Sequence, residues 1–347
     1  MVREKLNIEQ KIELIKRNTE EIITEDELKK VLKEKEKPVI YWGTAPTGRP
    51  HVGYFLPALK MADLLKAGFK VKVLLADIHA ALDNTPWDIL EKRYTYYKKI
   101  IPLLISAMGA NINDLEFVRG SDFQYNREYI YDLFKLTTFT SVRDARRAAS
   151  EVVKNIEGDN ASLSGFVYPL MQSLDEVYLN ADAQLGGTDQ RKIMMLAREN
   201  LSKLDYKPRI EIMHILIPGL IGKKMSASEE KSKIDLLDDT ATVKDKLKGA
   251  KMIEGDLDNG VMPFLKYVLM VLKGDKGKKF IVERPEKYGG NIEYENYEQI
   301  EKDFIDKKLH PLDLKNAVAK EISGFLEPIQ KHREELEEIS KEAYPFK

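Results

Sequence analysis

The chain has 347 residues, 43% of them hydrophobic, with 20 Gly and 14 Pro: enough for about two globular domains, and too little Gly and Pro for a low-complexity chain. It contains no cysteine, which excludes disulfide scaffolds, thiol nucleophiles and thiolate metal sites. Lys and Arg number 56 against 57 Asp and Glu, a net charge of −1, so any binding to nucleic acid has to rest on local patches.

The first thirty-odd residues read as helical, with a capping box from Thr24 to Glu27 ahead of Leu28, Val31 and Leu32, and Pro38 ends the stretch. Val39-Ile-Tyr-Trp42 reads as a strand and runs into the turn-rich Gly43-Thr-Ala-Pro-Thr-Gly-Arg-Pro50. Phe55, Leu56, Leu59, Ala62 and Leu65 then repeat at helical period up to Gly68, and Phe69–Ala76 reads as a second strand. Residues 39–76 are thus a βαβ unit, which implies a parallel sheet.

Helices are expected at Asp88–Met108, Tyr129–Thr138 and Arg143–Ile156, with strands at Leu115–Arg119, Ala183–Leu185 and Arg209–Ile215. After Ile234 the pattern turns helical, at Val243–Lys251, Val261–Leu272, Tyr297–Lys307 and Leu312–Leu326. The expected fold class is α/β: a Rossmann-like parallel-sheet domain over 1–235 followed by an all-helical domain over 236–347. No apolar run is long enough for a signal peptide or a membrane span, so a soluble, cytoplasmic protein without a membrane partner is expected.

Three constellations carry chemistry. Pro50-His-Val-Gly-Tyr54 lies between a buried strand and a helix N-terminus, where unpaired N–H groups can meet phosphate; Gly53 would allow close approach and His51 could donate to a phosphate oxygen. By itself so short a match is more often a satisfied structural histidine. Gly222-Lys-Lys-Met-Ser-Ala-Ser228 sets Lys223 and Lys224 beside small hydroxyl residues such as Ser226, a loop able to bring positive charge to a triphosphate or simply a basic turn. In Tyr168-Pro-Leu-Met-Gln-Ser-Leu-Asp175, the side chains of Tyr168, Gln172 and Asp175 fall at i, i+4 and i+7 on one helix face. That polar stripe borders an apolar sector and reads as a pocket wall. Gly186, Gly187 and Gln190 follow in a strand–turn–helix connection that can reach the same pocket.

A His-x-Gly-x element after the first strand and a Lys-Met-Ser-x-Ser loop after the last are the two signatures of class I aminoacyl-tRNA synthetases. Together with Ile15-Lys-Arg-Asn18, Tyr41-Trp-Gly-Thr-Ala45, Leu75-Ala-Asp-Ile-His79, the Tyr168–Asp175 stripe, Gly186-Gly-x-Asp-Gln-Arg-Lys192 and His310-Pro-x-Asp-Leu-Lys-Asn316, they make the chain similar, essentially end to end, to the tyrosyl-tRNA synthetases of the archaeal and eukaryotic type. Two positions depart from the pattern: Tyr54 stands at the second His of the first signature, and Ala227 replaces the usual Lys or Ser of the second.

The resemblance implies activation of L-tyrosine by ATP and its transfer to tRNA(Tyr). Tyr41 and Asp175 would hold the substrate hydroxyl, Tyr168, Gln172 and Gln190 its α-amino group, with His79 and Gln124 also lining the pocket. ATP would meet Gly43, Thr47, His51, Gly53, Lys224 and Ser226, the catalytic set being His51, Gly53, Lys223, Lys224 and Ser226. Mg²⁺ would be held mainly by the phosphates, with no protein metal site. Arg191 and Lys192 would meet the tRNA acceptor end, while Tyr288 and Asp313 would read the anticodon from the second domain. A homodimer is implied, with apolar helical surface at Tyr94–Ser106 and Phe134–Thr140. Tryptophan specificity, a non-catalytic RNA-binding or signalling paralogue, and a nucleotide-binding α/β protein with another substrate are the alternatives.

Overall fold

The structure, a computed structural model, describes residues 6–153, 156–158, 160–220 and 233–345. Its centre is a six-stranded sheet in the order β1–β6–β5–β2–β3–β4: β1 (Thr19–Ile23), β2 (Val39–Thr44), β3 (Lys70–Leu75), β4 (Leu115–Arg119), β5 (Ala183–Gly187) and β6 (Ile210–His214). All neighbours run parallel except β1, which pairs antiparallel with β6. Chain order moves outward from β2 to β3 and β4, then restarts at β5 on the other flank, so the strand order reverses between β2 and β5. Beyond the carboxyl ends of such strands lies the usual ligand crevice of an open parallel sheet.

The helical reading of the first thirty residues needs correcting. Helices Ile8–Lys16 and Glu25–Glu34 flank the strand β1, and the expected capping box does open the second: Glu27 N–H donates to Thr24 Oγ1 at 3.2 Å, and Thr24 N–H to Glu27 Oε2 at 3.1 Å. Glu20 and Glu21 carry helix-like charge in the sequence, but here they belong to an edge strand, where charge discourages pairing with another chain. In the second half, helices Thr240–Lys248, Tyr297–Ile305, Pro311–Gln330 and Arg333–Ala343 accompany a π-helical segment, Leu265–Leu269. The all-helical expectation is refined by one antiparallel hairpin, Phe280–Val282 with Ile292–Tyr294.

One apolar core runs through both halves. Phe55, on the helix Phe55–Lys66 that follows the His51 turn, packs against Phe264 and Phe325 with ring centroids 6.1 and 6.2 Å apart. Burial of large aromatic rings on both partners ties the first helix of the βαβ unit to the helices beyond residue 236.

Candidate active site

A cavity of about 610 Å³ opens at the β2/β5 reversal. Its walls bring together Tyr41 and Gly43 from β2, His51, Gly53 and Tyr54 from the turn after it, and His79 from the helix Asp77–Leu82. Tyr168, Gln172 and Asp175 join from the helix Leu163–Tyr178, and Gln190 from the turn after β5. Thus the i, i+4, i+7 stripe is a cavity wall.

The deep end is polar and buried. Asp175 Oδ1 accepts from Gln124 Nε2 at 2.8 Å, and the Tyr129 hydroxyl lies 2.9 Å from both that oxygen and the Met171 carbonyl, donating to one at a time. Gln124 therefore stands behind Asp175 and does not line the cavity. Oδ2 is left without a partner among the described residues, as is Nε2 of His79. Burial pushes the Asp175 carboxyl up to about 7 against the two donors that lower it. Burial likewise pushes His79 down to about 4, so its ring is neutral. Gln124 Nε2 sits 3.4 Å from His79 Nδ1, which as acceptor leaves the ring proton on Nε2. The His79 ring meets the Tyr168 ring edge-on at 4.6 Å, and the buried Tyr41 hydroxyl donates to the Gln172 carbonyl at 3.4 Å.

Nearer the mouth, Gln172 Nε2 donates to Gln190 Oε1 at 3.2 Å. A Cβ at Gly187 would fall 2.6 Å from Asp189 Oδ1 and 2.8 Å from Leu216 Cδ2, so both side-chain ends would have to move aside for any larger residue. Gly43 is different, since a Cβ would meet only ordinary contacts at 3.8 Å; what its absence leaves is room for a ligand over the end of β2.

His51 caps the short turn Val52–Tyr54, its Nδ1 accepting from Gly53 N–H at 3.1 Å. That hydrogen bond puts the ring proton on Nε2, and burial, helped by the charge of Lys233, holds the imidazole down to about 4. A neutral Nε2–H donor is what contact with a phosphate oxygen requires. Tyr54, at the position where the sequence departs from the family pattern, packs edge-on against His51 and lies 3.3 Å from Thr44 Oγ1 and 3.4 Å from the Tyr97 hydroxyl, filling the space by bonding to the scaffold.

Thr47 does not reach the cavity wall; its carbonyl is held from behind by Arg93. Lys223, Lys224, Ser226 and Ala227 lie outside the described residues. Arg191 and Lys192 start the helix Arg191–Asn200 and are paired with Glu21 at 2.6 Å and Glu151 at 2.8 Å; together with Arg147 they edge a small cleft outside the main cavity. Tyr288 is 62% exposed, and Asp313 sits in the first turn of Pro311–Gln330. Arg284 ties the two loops, donating to the Gly290 and Lys308 carbonyls. The sequence reading missed Tyr129, Gln184, Asp189 and His214; the last three line the cavity from β5, the turn after it and β6.

Comparison with known proteins converges on one family. The model of the class I tRNA synthetases (W and Y) matches residues 33–327. The cytoplasmic tyrosine–tRNA ligase of Xenopus laevis is 47% identical over 98% of this chain, which spans 64% of that protein's length. The tyrosine–tRNA ligase of Haloarcula marismortui is 42% identical, with 97% of this chain and 98% of that one covered. The crystal structure of Archaeoglobus fulgidus tyrosyl-tRNA synthetase complexed with L-tyrosine superimposes with a TM-score of 0.85 at 38% identity, covering 94% of this chain and all of that one. The chain belongs to the class I tRNA synthetases of the W and Y group, among their tyrosine–tRNA ligases.

Proposed function

We propose that the protein activates L-tyrosine with ATP and transfers it to tRNA(Tyr), in the cytoplasm, to which the name of the Xenopus relative assigns that protein. The observation that carries the reading is the deep end of the cavity. An unpartnered carboxylate oxygen of Asp175, an unpartnered N–H of His79 and the Tyr41 hydroxyl all border it. A phenol both donates and accepts, and so satisfies both orphans; an indole only donates, and phenylalanine does neither. Tyr168, Gln172 and Gln190 lie on the way to the mouth, where the α-amino group would sit.

The tyrosine carboxylate attacks the α-phosphorus of ATP, forming the carboxyl–phosphate bond as the bond to the β-phosphate bridging oxygen breaks and pyrophosphate leaves. A ribose hydroxyl of tRNA then attacks the carbonyl carbon and displaces AMP. No covalent enzyme intermediate is required, so the protein's part is alignment and stabilisation of charge developing on the phosphates. His51 Nε2–H supplies this at the turn, where Gly43 and Gly53 line the cavity without side chains, and Lys223, Lys224 and Ser226 are assigned to it from sequence. Mg²⁺ is assigned to the phosphates of the nucleotide, because this ion keeps several waters and seldom uses an all-protein cage.

Residues 236–347 are assigned the anticodon, with Tyr288 stacking on an unpaired base and Asp313 accepting from guanine N–H groups, and Arg191 and Lys192 the acceptor end. The homodimer is assigned to the helix Arg127–Phe139, where Tyr131 and Phe134 stand exposed; the apolar residues of Tyr94–Ser106, by contrast, are core. No helix of the described residues is long and apolar enough to cross a membrane.

The test is ATP–pyrophosphate exchange with each of the twenty amino acids, followed by charging of tRNA. Exchange with tyrosine alone is expected. Exchange with tryptophan would move the specificity, and no exchange with RNA binding retained would mark a non-catalytic relative.

A further inference from the structure

The turn carrying His51 is fastened from behind by residues that do not line the cavity. Val52 N–H donates to the Ile234 carbonyl at 3.0 Å, and His51 forms an isolated antiparallel bridge with Asp235. Two residues before His51, Arg49 donates to Asp235 Oδ1 at 2.7 Å, with both side chains mostly buried. Asp235 is itself fixed: Oδ1 accepts from Leu237 N–H at 3.0 Å, and its own N–H donates to Asp238 Oδ2 at 2.8 Å. On the other side of the loop, the Gly48 carbonyl accepts from the hydroxyls of Tyr97 at 2.6 Å and Tyr344 at 3.1 Å.

A buried ion pair is a poor device for stability alone, because desolvation of both charges offsets their attraction; what it supplies is directional constraint. We infer that Arg49 and Asp235 are positioning residues for nucleotide activation: their ion pair holds the His51 turn in the cavity wall without touching substrate. The inference rests on the reading of that wall as the ATP side of a synthetase site. Displacement of the turn would leave the Asp175 end in place, since Asp175 is held by Gln124 and Tyr129 from other elements.

The experiment compares Arg49→Met, Asp235→Asn and the double variant with wild type in tyrosine-dependent ATP–pyrophosphate exchange, in calorimetric tyrosine binding and in thermal melting. Each single variant is expected to lose about tenfold or more in kcat/KM for ATP while its tyrosine Kd stays within about twofold, because misplacement of an aligning group is felt at the reacting centre. The double variant should cost no more than the worse single, as for two residues acting as one unit. If Arg49→Met does not fold, Arg49→Lys keeps the charge but loses the fork geometry, and the same loss is expected at an unchanged melting temperature. ATP parameters within about twofold of wild type, or tyrosine affinity falling in parallel with them, would overturn the positioning role. Wild-type protein that exchanges pyrophosphate with no amino acid would overturn the functional reading, and this inference with it.

Discussion

Asp175 Oδ2 lies 3.7 Å from His79 Nε2, and neither atom has a hydrogen-bond partner among the described residues. The pair is not a salt bridge in effect, because burial keeps His79 neutral with its pKa near 4. One acceptor and one donor are instead left facing a cavity, where a single group able both to donate and to accept satisfies them together.

The pH dependence of tyrosine binding follows from this. Asp175 titrates near 7 in the unliganded site, and a substrate hydroxyl donating to it prefers the ionised form. Affinity for tyrosine should therefore tighten from about pH 6 to about pH 8, and Asp175→Asn should bind roughly ten- to hundredfold more weakly with that slope abolished. Calorimetry across this range checks both; a flat wild-type profile would remove the hydroxyl from Asp175.

Tyr129→Phe should act on the same atom from the other side. Without the hydroxyl 2.9 Å from Oδ1, the carboxylate loses one of its two donors and its pKa climbs further. The expected outcome is a shift of the tyrosine-binding profile to higher pH with a small change in limiting affinity. If the profile stays in place while the affinity falls throughout, Tyr129 is packing and not electrostatics.

The legibility of this site from sequence divides along a physical line. Tyr168, Gln172 and Asp175 are readable because helical period places them on one face within eight residues, and the β2 strand with its following turn is readable from its apolar run and glycines. Tyr129 is not: a tyrosine at a buried helical position looks like core, and its polar partner is 46 residues away. The strand β1 hides for a similar reason, since Thr19-Glu-Glu-Ile-Ile23 is edge sequence whose strand partner among the described residues is the distant β6. The Arg49–Asp235 pair spans 186 residues and leaves no local trace.

Phe134 is 65% exposed, one helical turn from exposed Tyr131, over which Lys135 places its ammonium at 4.5 Å. Apolar rings presented side by side on one helix are costly in water unless covered. Phe134→Glu should convert a dimeric wild type to monomer in sedimentation equilibrium at unchanged melting of the monomer. A wild type that sediments as monomer would leave this face without the assigned role.

Glu176 and Glu211 present the opposite problem: both are fully buried, and none of their four carboxylate oxygens has a partner among the described residues. Glu211 sits on β6 in register with Gln184 of β5, which is in turn beside Tyr41 of β2, so this acid pair backs the floor of the tyrosine end. Burial raises both carboxyls well above the ordinary value of 4.5; the charge of Glu176 adds to it at Glu211 and that of Asp175 at Glu176, while Arg198 and Arg209 only partly oppose. An acid whose folded-state pKa is raised binds its proton more tightly folded than unfolded. Its stabilising effect is therefore complete below the unfolded value and is lost as pH climbs through the raised one. The contribution of this pair to stability should therefore fall steadily from acid toward alkaline pH. Glu211→Gln, which keeps the shape and replaces one charge with an amide donor for Glu176, should flatten that fall and gain about 1–3 kcal/mol at the alkaline end. Denaturant melts at several pH values decide the matter: if the variant is no more stable at high pH than wild type, the two carboxyls are hydrated within the fold, and the floor behind Tyr41 is wet.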